Sequence, residues 1–224
     1  ALLPVADRIA FGFDGPAAKV RRGIVTGNPV RAEIEAIAEP AQRFAGRSGP
    51  LKVLVVGGSL GARALNTVVP QALALIPEGQ RPIVTHQAGE KQIGELRANY
   101  AAAGVQAHLT PFIDNTALAF ADADLVICRA GASTVTELAA VGAPAAFVPF
   151  PSAVDDHQTF NARFLVEQGG GWLMPQATLT PESLAEMLQK TERPALMQQA
   201  LGAKKMQKLH ATDAVVAACE ELAT

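Results

Sequence analysis

Aromatic side chains are scarce in this chain: they make up 5% of its 224 residues, with a single tryptophan and a single tyrosine. That argues against an aromatic-rich β-sandwich and for tight packing of small aliphatic side chains. Cysteine is nearly absent. Cys128 and Cys219 stand far apart, so no disulfide framework is expected and a reducing compartment is the natural setting. Neither sign of charge is in excess. Nineteen basic and twenty-one acidic residues leave a net charge of −2, which speaks against a nucleic-acid partner. Long apolar runs are missing as well. Residues 138–151 form the longest nearly uncharged stretch, shorter than the ~18 to 20 residues a membrane-spanning helix requires, and Gly142 and Pro144 interrupt it. Asp7 and Arg8 break the early apolar stretch, so it does not read as a signal peptide. A soluble chain is expected, and a start at Ala1 rather than methionine fits a processed or excised piece.

What is present is a core. Hydrophobic residues amount to 49% and charged ones to 18%, enough burial to exclude global disorder. At roughly 150 residues per domain, the length suits one large domain with added pieces. Short β-branched runs alternate with longer Ala/Leu-rich segments. The pattern predicts strands at 52–56, 82–86, 105–109, 125–128, 145–148 and 171–174. Helices are predicted at 62–76, 90–103, 115–121, 135–141, 156–168 and 181–189. Uninterrupted apolar strands such as Val53-Leu54-Val55-Val56 fit a parallel sheet buried on both faces. The expected fold class is therefore α/β, a Rossmann-like doubly wound parallel sheet. The ends stand apart from this unit. Residues 1 to about 27 read as a short helix, a Gly/Pro turn at 12–16 and a strand near 20–25. Gly27-Asn28-Pro29 then marks a linker, and residues 191–224 read as two helical stretches broken near 210–213.

In such a sheet, ligands bind at the carboxyl ends of the strands. Gly57-Gly58-Ser59-Leu60-Gly61-Ala62 leaves one buried strand and opens a helix. Its glycines permit close backbone approach, and a helix N-terminus favours an anion such as phosphate. The same glycines also suit a plain tight turn, while the spacing is a poor match to a dinucleotide fingerprint. A second loop, Arg129-Ala130-Gly131-Ala132-Ser133-Thr134-Val135-Thr136-Glu137, repeats the design. There, Thr134 and Glu137 have the spacing of a capping box; the alternative is a diphosphate at Ser133 and Thr134, with ribose hydroxyls on Glu137. A third segment, Asp155-Asp156-His157-Gln158-Thr159-Phe160-Asn161, puts polar groups at a helix start. One of the aspartates can be its N-cap, and Gln158 and His157 can read sugar hydroxyls. Asp-Asp-His also has metal-ligand character, but no further cluster supports a metal site. His86, His108 and Cys128 read as structural, and no nucleophile elbow occurs.

The motifs Thr26-Gly27-Asn28-Pro29-Val30-Arg31, Gly57-Gly58-Ser59-Leu60-Gly61-Ala62-Arg63 and Pro111-Phe112-Ile113-Asp114 resemble, in order and register, the MurG family of bacterial cell-wall glycosyltransferases. So do Cys128-Arg129-Ala130-Gly131-Ala132-Ser133-Thr134 through Glu137, and Asp155-Asp156-His157-Gln158-Thr159 through Asn161-Ala162. The resemblance covers nearly the whole chain. It implies the C-terminal, donor-binding domain of a GT-B fold. The implied enzyme moves N-acetylglucosamine from UDP-GlcNAc to the muramoyl 4-hydroxyl of undecaprenyl-diphosphate-linked lipid I, giving lipid II, on the cytoplasmic face of the bacterial inner membrane. Carried over by motif position, Ser59 and Gly58 would meet the diphosphate and the Ile113 backbone the uracil. Ala132, Ser133, Thr134, Val135 and Thr136 would line the diphosphate and ribose, with Glu137 on the ribose hydroxyls. Gln158 would hold the sugar with His157 and Asn161 nearby, and Arg31 would approach the nucleotide. The donor site would need no metal or other cofactor. Leu60 stands where glutamine is frequent in the family, and His157 where some members carry a second glutamine. The resemblance further implies that residues 1–27 end a missing N-terminal acceptor domain, that 28–205 bind the UDP-sugar, and that 206–224 brace the missing domain. That domain would supply the catalytic base, the lipid I site and the peripheral membrane contact. Rival readings are another GT-B transferase with a lipid acceptor, and a stand-alone UDP-sugar-binding module or subunit.

Overall fold

Val53-Leu54-Val55 and Leu125-Val126-Ile127 offer water no polar side, and both become central strands buried on two faces. The structure is a computed structural model describing residues 6–17, 20–58, 62–151 and 156–223. In chain order the strands are β1 (Ile9–Phe11), β2 (Gly23–Val25), β3 (Lys52–Val56), β4 (Ile83–Gln87), β5 (His108–Thr110), β6 (Leu125–Cys128), β7 (Ala145–Phe147) and β8 (Gly171–Leu173). The helices are α1 (Asp14–Ala17), α2 (Ala32–Glu35), α3 (Pro40–Phe44), α4 (Arg63–Leu75), α5 (Ile93–Ala103), α6 (Thr116–Asp122), α7 (Ala132–Val141), α8 (His157–Val166), α9 (Pro181–Lys190), α10 (Arg193–Lys204) and α11 (Ala211–Ala223).

The main sheet is all parallel, in the order β5-β4-β3-β6-β7-β8. Its two faces carry separate cores. Val53, Val55 and Ile127 join Leu65, Val69 and Leu96 on one side; Leu54, Val126 and Cys128 join Phe120, Leu138 and Phe147 on the other. The order reverses between β3 and β6, which makes the crevice above these two strands the expected ligand site. The expected doubly wound α/β sheet is therefore present, with the strand order of a Rossmann fold. Cys128 is fully buried, and burial pushes its thiol up to about 12.

Local chemistry explains several details. Pro70 sits inside α4 and cannot donate to the Asn66 carbonyl one turn back. Asn99 on α5 donates its Nδ2 to that carbonyl at 3.0 Å, so the helix keeps its hydrogen-bond count. Gly171 opens β8 at φ +153, where an added Cβ would lie 1.9 Å from the Ala145 carbonyl oxygen of β7.

Some predicted elements move. Residues 9–11, read within a short helix, form β1, which pairs in parallel with β2 in a small separate sheet; one turn of helix, α1, occupies the Gly/Pro segment. β5 starts at residue 108 rather than 105, because Gly104 ends α5 in a left-handed turn and Val105 N–H closes it on Tyr100 O. Helices predicted from 90 and 156 begin at Ile93 and His157, and the strand predicted at 82–86 runs from Ile83 to Gln87. The short helices α2 and α3 have too few turns for their periodicity to register. The most consequential shift concerns α7, expected from 135, which begins at Ala132 with Gly131 as its N-cap.

His86 supplies a pH prediction. It is fully buried on β4, its Nδ1 lies 3.0 Å from the Tyr100 hydroxyl, and its Nε2 has no partner among the described residues. Burial lowers its pKa to about 3. The unfolded chain then binds one more proton than the folded chain between about pH 6.5 and 3. Stability contributed by the neutral imidazole is full above that window and falls as pH drops, by about 1.4 kcal/mol per unit. Thermal unfolding at about pH 7 and pH 5 is expected to show this slope, and His86→Phe should flatten it. An unchanged slope in the variant would assign the acid sensitivity elsewhere.

Candidate functional site

Above the β3–β6 reversal lies a cleft of about 610 Å³, lined among others by Gly57, Gly58, Arg129, Gly131, Thr134 and Gln158. Two strand-to-helix connections form its floor. From β3 the chain passes through Gly57 and Gly58 to Ala62 and the start of α4. Gly58 has φ +79 with nothing within 4 Å of an added Cβ, so conformation rather than crowding calls for glycine. From β6 the chain passes through Arg129, Ala130 and Gly131 to α7. Two helix N-termini thus open on one cleft, each with backbone N–H groups lacking partners inside the helix. Such an arrangement favours an anion.

The start of α7 overturns the capping-box reading. Thr134 is the third residue of the helix, so Thr134 and Glu137 cannot form a cap; Gly131 is the N-cap and no side chain caps it. Glu137 is half-buried in the second turn instead, and Arg31 Nη2 donates to its Oε1 at 3.1 Å. Arg31 also reaches the Thr116 hydroxyl at the start of α6. Arg31 follows the Gly27-Asn28-Pro29 linker, and Asn28 Nδ2 donates to Thr136 Oγ1 at 2.9 Å. That hydroxyl in turn donates to Ala132 O, so the linker is tied to the first turn of α7.

Gln158 on α8 spans two loops. Its Oε1 accepts from Ala130 N–H at 3.3 Å and Phe150 N–H at 2.9 Å, which turns its Nε2 into the end able to donate elsewhere. Asn161, one turn on, donates Nδ2 to Ala130 O at 3.0 Å and holds the same loop. Asp156 is the N-cap of α8 in left-handed backbone, but its carboxylate accepts from Thr159 Oγ1 rather than from the helix backbone. The other N-cap candidate, Asp155, lies outside the described residues.

Of the residues expected at a donor site, Gly58, Thr134 and Gln158 line the cleft. Ala132 and Ser133 are exposed in the first turn of α7, and His157 is exposed at the start of α8. Ile113 is half-buried after β5 and packs against the core near α6. Val135 and Thr136 point inward: Val135 is fully buried and its N–H donates to Gly131 O at 3.0 Å, while the Thr136 hydroxyl is committed to Asn28 and Ala132. Ser59, Leu60 and Gly61 lie outside the described residues.

Sequence reasoning left the role of Arg129 open. Its Nη1 donates to Val148 O and Pro149 O, its Nη2 donates to Gln176 Oε1 at 2.7 Å, and its guanidinium stacks 5.4 Å from the centre of the Phe150 ring. It fastens the loops after β6, β7 and β8 together, and burial lowers its pKa. Gln176 and Gln87 were missed altogether. Neither carries a sequence signal, because their importance depends on which strands become neighbours.

The family model described as "Glycosyltransferase family 28 C-terminal domain" matches residues 52–216. The chain belongs to glycosyltransferase family 28. Within this family, the chain is similar to the Polaromonas sp. (strain JS666) protein named UDP-N-acetylglucosamine–N-acetylmuramyl-(pentapeptide) pyrophosphoryl-undecaprenol N-acetylglucosamine transferase. The identity is 68% over 222 residues, covering 99% of this chain and 57% of that protein. The Paracidovorax citrulli protein of the same name is 65% identical over 99% of this chain and 61% of its own length. Among solved structures, Acinetobacter baumannii MurG superposes with a TM-score of 0.82 at 36% identity, over 98% of this chain and 62% of that one. The chain thus spans about three-fifths of the length of each of these three proteins.

Proposed function

We propose that this family 28 chain is the donor-binding half of an inverting transferase that moves N-acetylglucosamine from UDP-GlcNAc to the muramoyl 4-hydroxyl of lipid I. The observation that carries the reading is the cleft at the strand-order reversal, where the N-termini of α4 and α7 converge. The names of the close relatives support the same donor and acceptor.

In this reading, the diphosphate lies across Gly58 and the first turn of α7, the ribose hydroxyls donate to Glu137, and Gln158 Nε2 donates to the sugar. During transfer the acceptor oxygen bonds to the anomeric carbon while the bond from that carbon to the diphosphate oxygen breaks. The negative charge left on UDP is stabilised by the preorganised N–H dipoles at the two helix starts. The proton of the acceptor hydroxyl goes to a base outside this chain. The lipid acceptor and a peripheral contact with the cytoplasmic face of the inner membrane belong to the remaining portion of the protein. No helix among the described residues is long and apolar enough to cross a membrane.

Calorimetric titration tests the donor. UDP-GlcNAc is expected to bind at least about tenfold more tightly than UDP-galactose, a difference of about 1.4 kcal/mol. Equal affinity for the two sugars would remove support for N-acetylglucosamine as the transferred group. No lipid II is expected from this chain alone with UDP-GlcNAc and lipid I; measurable turnover would show that the base lies within these residues.

A further inference from the structure

Because β3, β4 and β5 are adjacent and parallel, the last residue of the middle strand has the loops of both neighbours within reach. That residue is Gln87, paired with Val56 on one side and Thr110 on the other, and 5% exposed. Its Oε1 accepts from Gly58 N–H at 3.2 Å. Its Nε2 donates to Gly58 O at 3.3 Å and to Pro111 O at 3.0 Å. A carboxamide combines the acceptor and paired donors that this arrangement uses; a carboxylate has no donor and an alkyl group has neither. The main chain reinforces the link, with Gly57 N–H donating to Gln87 O at 3.1 Å and Ala88 N–H to Thr110 O at 3.2 Å.

We propose that Gln87 is a positioning residue that holds the glycine loop after β3 and the loop at residues 111–113 at one fixed separation, matched to a nucleoside diphosphate. This rests on the donor-site reading above, in which the first loop meets the diphosphate, together with the family resemblance, which puts the Ile113 backbone of the second loop at the base. A ligand with a base at one end and a diphosphate at the other engages both loops at once. Loops already held in register require less ordering when it binds, and the saving appears as affinity. Gln87 itself touches neither end. It acts through Gly58 and Pro111.

The test uses Gln87→Leu, which removes all three side-chain hydrogen bonds at similar volume. Binding is measured well below the melting temperature of the variant, with UDP, uridine and inorganic pyrophosphate as probes. UDP affinity is expected to fall at least about tenfold, while each fragment binds within about threefold of wild type, because each still finds its own loop. A purely structural role would lower the melting temperature and leave UDP affinity in the folded variant unchanged. UDP binding within about twofold of wild type, or fragments weakened as much as UDP, overturns the proposal. If the wild-type chain binds no UDP, the donor-site reading fails, and loop coupling is judged by amide hydrogen exchange. Gln87→Leu should then speed exchange at Gly58 and across residues 110–113 together, with α9 unchanged. Acceleration in one loop only, or in neither, overturns it.

Discussion

Asp124→Ala is expected to destabilise the fold by about 3–5 kcal/mol, a large share of the roughly 5–15 kcal/mol that holds a typical domain folded. Asp124 is 1% exposed at the entry to β6. Its Oδ1 accepts from Arg47 Nη1 at 2.8 Å and from Arg193 Nε at 3.3 Å; its Oδ2 accepts from Lys52 N–H at 2.8 Å and Arg193 Nη2 at 3.0 Å. One carboxylate thus joins the segment after α3, the start of β3, the start of β6 and the start of α10. Its removal leaves two largely buried guanidinium groups facing each other without their counter-ion, and the uncompensated charge dominates the cost. Asp124→Asn keeps the shape and one acceptor, so a smaller loss is expected. Burial alone would raise the pKa of Asp124, but hydrogen bonds from Arg193, Lys52 and Arg47 outweigh it and hold the pKa below the ordinary value. The resulting stabilisation is present above the unfolded-state pKa, about 3.9, and is lost as pH falls through the folded value. That window lies below most of the His86 range, so the two groups separate in acid titration. Denaturant unfolding of both variants at neutral pH is the check, and a loss for Asp124→Ala below about 1 kcal/mol would mean the arginines find other partners.

Glu137→Ala is expected to weaken UDP-GlcNAc binding by about a hundredfold, or ~3 kcal/mol, if two ribose hydroxyls donate to its carboxylate. Stability should change little. Its ion pair with Arg31 is partly solvated, with the Arg31 side chain 54% exposed, and such pairs contribute about 0–1 kcal/mol. Because α7 starts at Ala132, Glu137 lies beyond the first turn and loses no capping role on substitution. Glu137→Gln retains a carbonyl acceptor and should fall between the two. Calorimetry with UDP-GlcNAc, beside a melting curve for each variant, separates binding from folding. Wild-type affinity in a well-folded Glu137→Ala would remove the ribose role and leave Glu137 as the partner of Arg31.

Several parts of the candidate site are legible in the local sequence. Gly57-Gly58 after an apolar run, and Gly131 after Leu125-Val126-Ile127, mark strand-to-helix loops because local residue chemistry restricts what can stand there. Thr134 and Gln158 were also named from motif context and do line the cleft. Helix boundaries were less legible. Small residues such as Ala132 and Ser133 fit either a loop or a first helical turn, and that ambiguity produced the mistaken capping box. Val135 and Thr136 show the same limit, since motif position does not say which side of a helix meets the core.

Local residue chemistry sets the alternation of strand and helix, the two-sided burial of the sheet, the glycine-bearing loops and the family motifs. These follow from hydrophobic periodicity and from steric limits on single residues, which act over a few positions. Chain folding in three dimensions makes β3 and β6 neighbours at the reversal, stands Gln87 between two loops of the candidate site, and gathers Arg47 and Arg193 on Asp124. A polar group buried in a core must find a partner, yet which partner it meets depends on strand order and crossover geometry. Those contacts close over separations such as the 77 residues between Arg47 and Asp124, beyond the reach of any local pattern.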